Sequence, residues 1–162
     1  MVPELSLFLP DEAATSRLGA ALALVLQAGD CLLLSGPIGA GKSHLARALI
    51  QTRLGHAEEV PSPSFTLVQT YEAVGVDIWH ADLYRLSHPD EALELGLSEA
   101  FDTAITLVEW PDRLGASAPH DALRLSLAAE GEGRRATLAA PHRPSLIAAV
   151  AAAFDAGADL DA

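Results

Sequence analysis

The 162-residue chain has one cysteine, one lysine, few aromatics (5%) and only ten basic side chains against 22 acidic ones. A single cysteine excludes an internal disulfide and a multi-cysteine zinc site, and Cys31, set in Cys31-Leu32-Leu33-Leu34, reads as a small buried hydrophobe. Long apolar runs are also missing: Leu18 to Leu26 and Leu146 to Phe154 hold nine residues each, about half the ~18 needed to cross a bilayer. No membrane association is expected. Met1 to Pro10 carries neither a basic n-region nor a small-residue cleavage site, so a secretory signal is unsupported and the expected location is cytoplasmic. The deficit of positive charge, −12 net at pH 7, argues against autonomous nucleic-acid binding, whose affinity comes mainly from Lys and Arg neutralising phosphates. Any nucleic acid involved is expected to be held by a partner; the acidity itself fits either a solubility surface or docking to a basic partner.

Half of the residues are apolar, enough for one compact domain that buries roughly 70% of its unfolded surface. No repeat or low-complexity linker divides the chain, so residues 1–156 are expected to form one domain and 157–162 a frayed tail. Leu5, Leu7 and Leu9 alternate as in a strand; from Asp11, apolar residues recur at helical spacing until Gly29. Cys31 to Leu34 is a continuous apolar run, as in a strand covered on both faces, and it leads through a glycine-rich loop into a helix ending near Gly55. Phe65 to Tyr71, Val76 to Leu83 and Ala104 to Val108 read as further strands. Between the last two, Ser87 is a candidate cap for a helix that has Pro89 in its first turn and stops by Gly96. Leu123 to Ala139 reads as an antiparallel hairpin turning at Glu130 to Gly133, followed by an alanine-rich helix over Ser145 to Phe154. The expected class is α/β: a mostly parallel central sheet flanked by helices, with an antiparallel C-terminal hairpin.

The strongest local signal is Gly36-Pro37-Ile38-Gly39-Ala40-Gly41-Lys42-Ser43, a P-loop pattern. Its glycines let backbone amides surround phosphate oxygens, its lysine reaches the β- and γ-phosphates and its hydroxyl ligates magnesium. The pattern arises by accident in about one chain in 10² to 10³ of this length. It also follows an expected buried strand and opens a helix, so the phosphates would lie at a helix N-terminus. Lys42 is the only lysine in the protein. Residues 36–44, including His44, are therefore candidate contacts for ATP or ADP. A P-loop needs a further acidic group for magnesium or water at the end of a neighbouring buried strand, and Glu109, carried by Ile105-Thr106-Leu107-Val108, meets that description. Asp82 shares a strand face with His80 by the two-residue period, leaving open whether it orients water or pairs structurally with that histidine. The six histidines show no metal-ligand spacing, which disfavours zinc.

In order along the chain, Gly36 to Ser43, Ser62-Pro63-Ser64-Phe65-Thr66-Leu67-Val68, His80-Ala81-Asp82-Leu83-Tyr84-Arg85-Leu86, Glu94-Leu95-Gly96-Leu97 and Leu107-Val108-Glu109-Trp110-Pro111 resemble the TsaE (YjeE) family. That family comprises bacterial P-loop ATPases of tRNA threonylcarbamoyladenosine biosynthesis, and the likeness runs from about Glu12 to Arg134. The resemblance implies an ATPase that works with the TsaD and TsaB proteins, which modify adenosine 37 of tRNAs reading ANN codons, and that meets tRNA only through them. It implies that Lys42 holds phosphates, that Ser43 and Glu109 ligate magnesium, and that Asp82 assists hydrolysis. Ser64 would act in a nucleotide-sensing loop, and Thr15 and Arg134 would lie near the nucleotide. The family usually has threonine at the positions of Ser43 and Ser64, and leucine at that of Ile38. Serine keeps the hydroxyl but lacks the methyl that restricts its rotamer. No role is assigned to Arg85; for Trp110, a nucleotide- or partner-facing role and plain packing both remain open.

Two other functions share the P-loop: a binding module in which nucleotide occupancy rather than turnover is the output, and a small-molecule kinase. Arg124, Arg134 and Arg135 could form a kinase lid, although their Gly-Glu neighbours look like a solvated turn. The charge balance yields a prediction independent of mechanism: the isolated protein does not retain tRNA at physiological salt. A filter-bound, salt-resistant complex with tRNA would contradict it.

Overall fold

The computed structural model describes residues 4–56, 58–61, 63 and 66–161, the side chains of 158–161 excepted. A seven-stranded sheet runs through it in the order β1-β7-β6-β2-β5-β4-β3. The strands are β1 (Glu4–Leu9), β2 (Cys31–Ser35), β3 (Val68–Ala73), β4 (Val76–Asp82), β5 (Ile105–Glu109), β6 (Leu123–Glu130) and β7 (Gly133–Ala139). The central four, β6, β2, β5 and β4, are parallel, while β1, β7 and β3 attach antiparallel at the flanks. The helices are α1 (Glu12–Val25), α2 (Lys42–Leu54), α3 (Pro89–Glu94), α4 (Leu97–Thr103) and α5 (Pro144–Asp161), with a 3-10 segment at Pro111–Ser117.

β2 shows why this chain makes a two-layered cover. Its alternate side chains Leu32 and Leu34 enter one core with Leu18 and Leu22 of α1, Leu45 and Leu49 of α2, and Val150 and Phe154 of α5. Cys31 and Leu33 enter the other, with Ala92 of α3, Leu97 of α4 and Leu114 of the 3-10 segment. A strand buried on both sides has no polar face, which is why it reads as an unbroken apolar run. Burial pushes the Cys31 thiol up to about 12, leaving it an un-ionised core residue.

Several local expectations shift. α1 starts where expected, with the Asp11 carboxylate accepting from Ala14 N (2.9 Å), but it stops at Val25, four residues before Gly29. Its last carbonyls are met by Arg53 of α2, whose guanidinium donates to Ala23 O (2.7 Å) and Leu26 O (2.9 Å). Ser87 is not the cap of α3: His88 is, its Nδ1 accepting from Asp90 N, because Pro89 fixes the first helical position one residue later. Gly96, in a left-handed conformation, both ends α3 and opens α4, a helix not anticipated from the sequence. β3 begins at Val68; Phe65, where it was expected to start, lies outside the described residues. The helix expected over Ser145 to Phe154 runs from Pro144 to Asp161. No helix among the described residues is long and apolar enough to cross a membrane.

The parallel registers set three C-terminal strand ends side by side: Leu34 of β2 pairs with Glu109 of β5, and Glu109 with Asp82 of β4. After β2 the chain turns into α2 on one face, and after β5 into the 3-10 segment on the other. The loops part there and open a crevice at the strand ends. α2 is held down over the sheet by a close crossing with α1 at Gly19, where an added Cβ would lie 2.7 Å from Leu45 O and 2.9 Å from the Ala48 Cβ. In an open helix, Gly to Ala gains about 1 kcal/mol. Here the sign is expected to reverse: Gly19→Ala lowers the melting temperature, and an unchanged or raised melting temperature would show that the helices can separate freely.

Candidate functional site

The phosphate-loop sequence folds as a loop because its glycines adopt backbone angles that side chains resist. Gly36 has φ +144°, and a Cβ there would stand 2.5 Å from Leu127 O of β6; Gly39 and Gly41 also have positive φ. Gly41 hands the chain to α2, whose first internal bond runs from Leu45 N to Gly41 O (2.9 Å). No side chain caps this end. The amides of Lys42, Ser43 and His44 therefore begin the helix without an intrahelical acceptor, the arrangement that receives an anion.

Lys42, the first residue of α2, is 5% exposed. Its ammonium donates to Gly36 O (2.6 Å) and lies 3.6 Å from the centroid of the Trp110 ring. Burial lowers its pKa from the ordinary lysine value, against the opposing pull of the Glu109 and Asp82 carboxylates. Trp110 reaches this position from a left-handed backbone conformation (φ 59°, ψ 53°), which costs a non-glycine residue about 1–2 kcal/mol. Its indole also meets the Tyr84 ring, with centroids 4.9 Å apart. Of the two roles considered for Trp110, the geometry places it against the phosphate-loop lysine and in the wall of the cleft.

Glu109, 2% exposed at the end of β5, accepts from Ser43 Oγ (3.0 Å to Oε1, 3.3 Å to Oε2). Its Oε2 also meets His80 Nε2 at 2.7 Å. The histidine thus pairs with Glu109 across the β4–β5 register, and not with Asp82 on its own strand as one reading of the sequence allowed. Asp82 is buried at the end of β4, where Oδ1 accepts from Tyr84 N (3.1 Å). The oxygens of Ser43 and Glu109 fit magnesium: adjacent ligands of an octahedral ion with bonds near 2.1 Å stand about 3 Å apart. The observed Oγ to Oε1 separation is 3.0 Å. Both are hard oxygen donors, the type this ion takes.

Lys42, Ser43, Asp82, Tyr84, Glu109 and Trp110 line a cleft of about 420 Å³ together with Glu12, Ile38, Gly39, Gly41, His44, Arg85 and Arg134. Arg134, at the start of β7, donates to Gly39 O (2.7 Å), so the loop is held from a strand remote in sequence. His44 Nε2 meets Ser16 Oγ of α1 (2.7 Å). Thr15 stands behind the loop, buried, with its hydroxyl on Asp11 O and its methyl facing Gly41. Pro37 and Ala40 shape the turn, Ala40 N bonding back to Pro37 O (3.1 Å), and Ile38 is 76% exposed at the rim. Ser64 lies outside the described residues. Arg135 turns away to an ion pair with Glu130 (2.7 Å), so the arginines of the hairpin do not converge as a lid. The sequence reading missed Glu12 and Tyr84; Tyr84 lies two residues beyond Asp82, where the chain bends over the sheet edge.

Comparison with known proteins identifies the family and the fold. The profile of the family described as threonylcarbamoyl adenosine biosynthesis protein TsaE matches residues 9–137. The tRNA threonylcarbamoyladenosine biosynthesis protein TsaE of Rickettsia felis is 41% identical over 106 residues, 65% of this chain and 62% of that protein, so the match spans less than two thirds of the relative's length. The Haemophilus influenzae TsaE is 37% identical over 67% of this chain and 72% of its own, and that of Treponema pallidum 30% over 75% and 89%. The crystal structure of the Bacillus protein YdiB superposes with a TM-score of 0.77 at 25% identity, covering 100% of this chain and 99% of that one. With most of its length matched by the family profile, and the same fold in a solved relative, this chain belongs to the TsaE family of threonylcarbamoyl adenosine biosynthesis proteins.

Proposed function

We propose that the protein is a magnesium-dependent ATPase of the cytoplasm required for threonylcarbamoyladenosine formation at position 37 of tRNAs reading ANN codons, where it acts with the TsaD–TsaB complex. The observation that carries this reading is the convergence of Lys42, Ser43 and Glu109 at one mouth, the first two from the start of α2 and the third from a neighbouring strand end. The amides of α2 and Lys42 bind the β- and γ-phosphates, with Lys42 exchanging Gly36 O for phosphate oxygens. Ser43 and Glu109 are the residues that would hold magnesium, whose charge would offset that of the phosphates. Asp82, one strand over on the same edge, orients the attacking water. Trp110 and Tyr84 wall the cleft and exclude bulk solvent, which strengthens each electrostatic interaction inside. Transfer of phosphate to water rather than to a small molecule is favoured because the hairpin arginines do not form a lid.

Phosphate release, measured with and without the TsaD and TsaB proteins, tests the proposal. Lys42→Ala is expected to abolish nucleotide binding or turnover. Lys42→Arg is also expected to lose more than about tenfold in turnover, because a planar guanidinium cannot replace a compact ammonium between Gly36 O and a phosphate. Wild-type turnover by the arginine variant would refute the assignment of Lys42.

Glu109→Gln separates binding from hydrolysis. Its volume is unchanged and the loop amides remain, so affinity is expected to fall only a few-fold, while the hydrolytic rate falls about 10²-fold or more with the loss of preorganised charge. Equal ATPase rates for this variant and wild type would remove Glu109 from the mechanism. If the variant still supports tRNA modification with TsaD and TsaB, nucleotide occupancy rather than turnover is the working step.

A further inference from the structure

His80 is 1% exposed and sits on the sheet between Ile78 and Asp82. Its Nε2 is engaged with Glu109 Oε2, but Nδ1 is buried without a hydrogen-bond partner among the described residues. A leucine would fill this strand position without burying an idle nitrogen, so packing alone gives no reason for a histidine. The one polar contact it makes goes to one particular oxygen. Ser43 Oγ stands nearer Oε1 (3.0 Å) than Oε2 (3.3 Å), and the oxygen it leaves further away is the one His80 holds at 2.7 Å. The carboxylate is thus fixed at two points, from α2 on one side and β4 on the other, and cannot rotate about its terminal torsion without breaking one of them. Terminal carboxylate torsions are otherwise broad and weakly restrained.

From this we infer that His80 is a positioning residue: its Nε2–H fixes the rotation of the Glu109 carboxylate and so presents Oε1, beside Ser43 Oγ, to magnesium. The inference rests on the magnesium and nucleotide reading above and deepens it by naming the group that sets the geometry of the metal-binding carboxylate. The carboxylate accepts here, so Nε2 is the ring nitrogen that donates. Partners of this kind behind metal ligands commonly set metal affinity without touching the metal.

The test is binding, not turnover. Affinity for AMP-PNP, a non-hydrolysable ATP analogue, is measured by calorimetry in EDTA and across a magnesium titration. Wild type is expected to bind more tightly with magnesium. His80→Leu is expected to keep the EDTA affinity within about twofold but to need about 10- to 100-fold more magnesium for the same gain. Because a leucine variant could fail to fold for unrelated reasons, His80→Gln and His80→Asn form a second pair. Both bury an amide, but glutamine places its N–H at the reach of the histidine Nε2, whereas asparagine stops one bond short. Glutamine is expected to stay within about threefold of the wild-type magnesium requirement and asparagine to shift it by about tenfold or more. A merely structural role predicts that the two amides behave alike. Equal magnesium requirements for Gln and Asn, or a wild-type requirement in a folded Leu variant, would overturn the inference. Absence of a magnesium response in wild type itself would instead remove the parent reading, and this inference with it.

Discussion

A carboxylate removed from water at the end of β5 imposes conditions on everything around it. Burying an unpaired charge is prohibitive, so Glu109 must find donors, and it finds them in Ser43 of α2 and His80 of β4. Ser43 requires α2 to start where it does, His80 requires β4 to lie beside β5 in the observed register, and Lys42 supplies opposite charge from the turn that joins loop to helix. Because the side-chain period along a strand is two, a one-residue slip of β4 would send both His80 and Asp82 to the far face. The registry of the central sheet and the composition of the cleft are therefore one constraint, seen from two sides.

The flanks answer to a different requirement. The four parallel strands are covered on both faces, but a parallel sheet with open edges would expose unpaired backbone groups. β7 and β1 extend it antiparallel on one side and β3 on the other. This places Arg134 at the start of β7 within reach of the loop after β2, although the two are remote in sequence. The hairpin is thus part of the cleft as well as an extension of the sheet.

How much of this could be read from residues alone depended on the kind of pattern. The loop from Gly36 to Ser43 combines backbone demands with charge in eight consecutive positions, so a local reading suffices, and the strand that precedes it is fixed by four apolar residues in a row. Glu109 followed from its place at the end of another such run. The partner of His80 did not, because periodicity reveals which residues share a face of one strand but not which strand lies alongside or at what offset. Thr15 and Arg134 came from family likeness, and the structure sets them apart: Arg134 donates to the loop from within the cleft, while Thr15 supports it from behind. Boundaries governed by tertiary donors were also hidden. The last carbonyls of α1 are met by Arg53, a residue of the next helix, a contact that no local pattern announces.

The packing of Lys42 between a carbonyl and an indole has an energetic consequence for the protein as a whole. Its ammonium was stripped of water when the chain folded, and its lowered proton affinity reflects how incompletely the surrounding groups replace that water. The penalty weighs on the fold while the side chain is protonated and fades as pH rises through its lowered folded value toward the ordinary lysine value. The phosphate oxygens of the proposed nucleotide would be better partners for this cation than a carbonyl and an indole. Under the proposed function, a phosphate bound there would relax a tension installed by folding, and that relaxation would be part of the affinity through which the ligand steadies the fold.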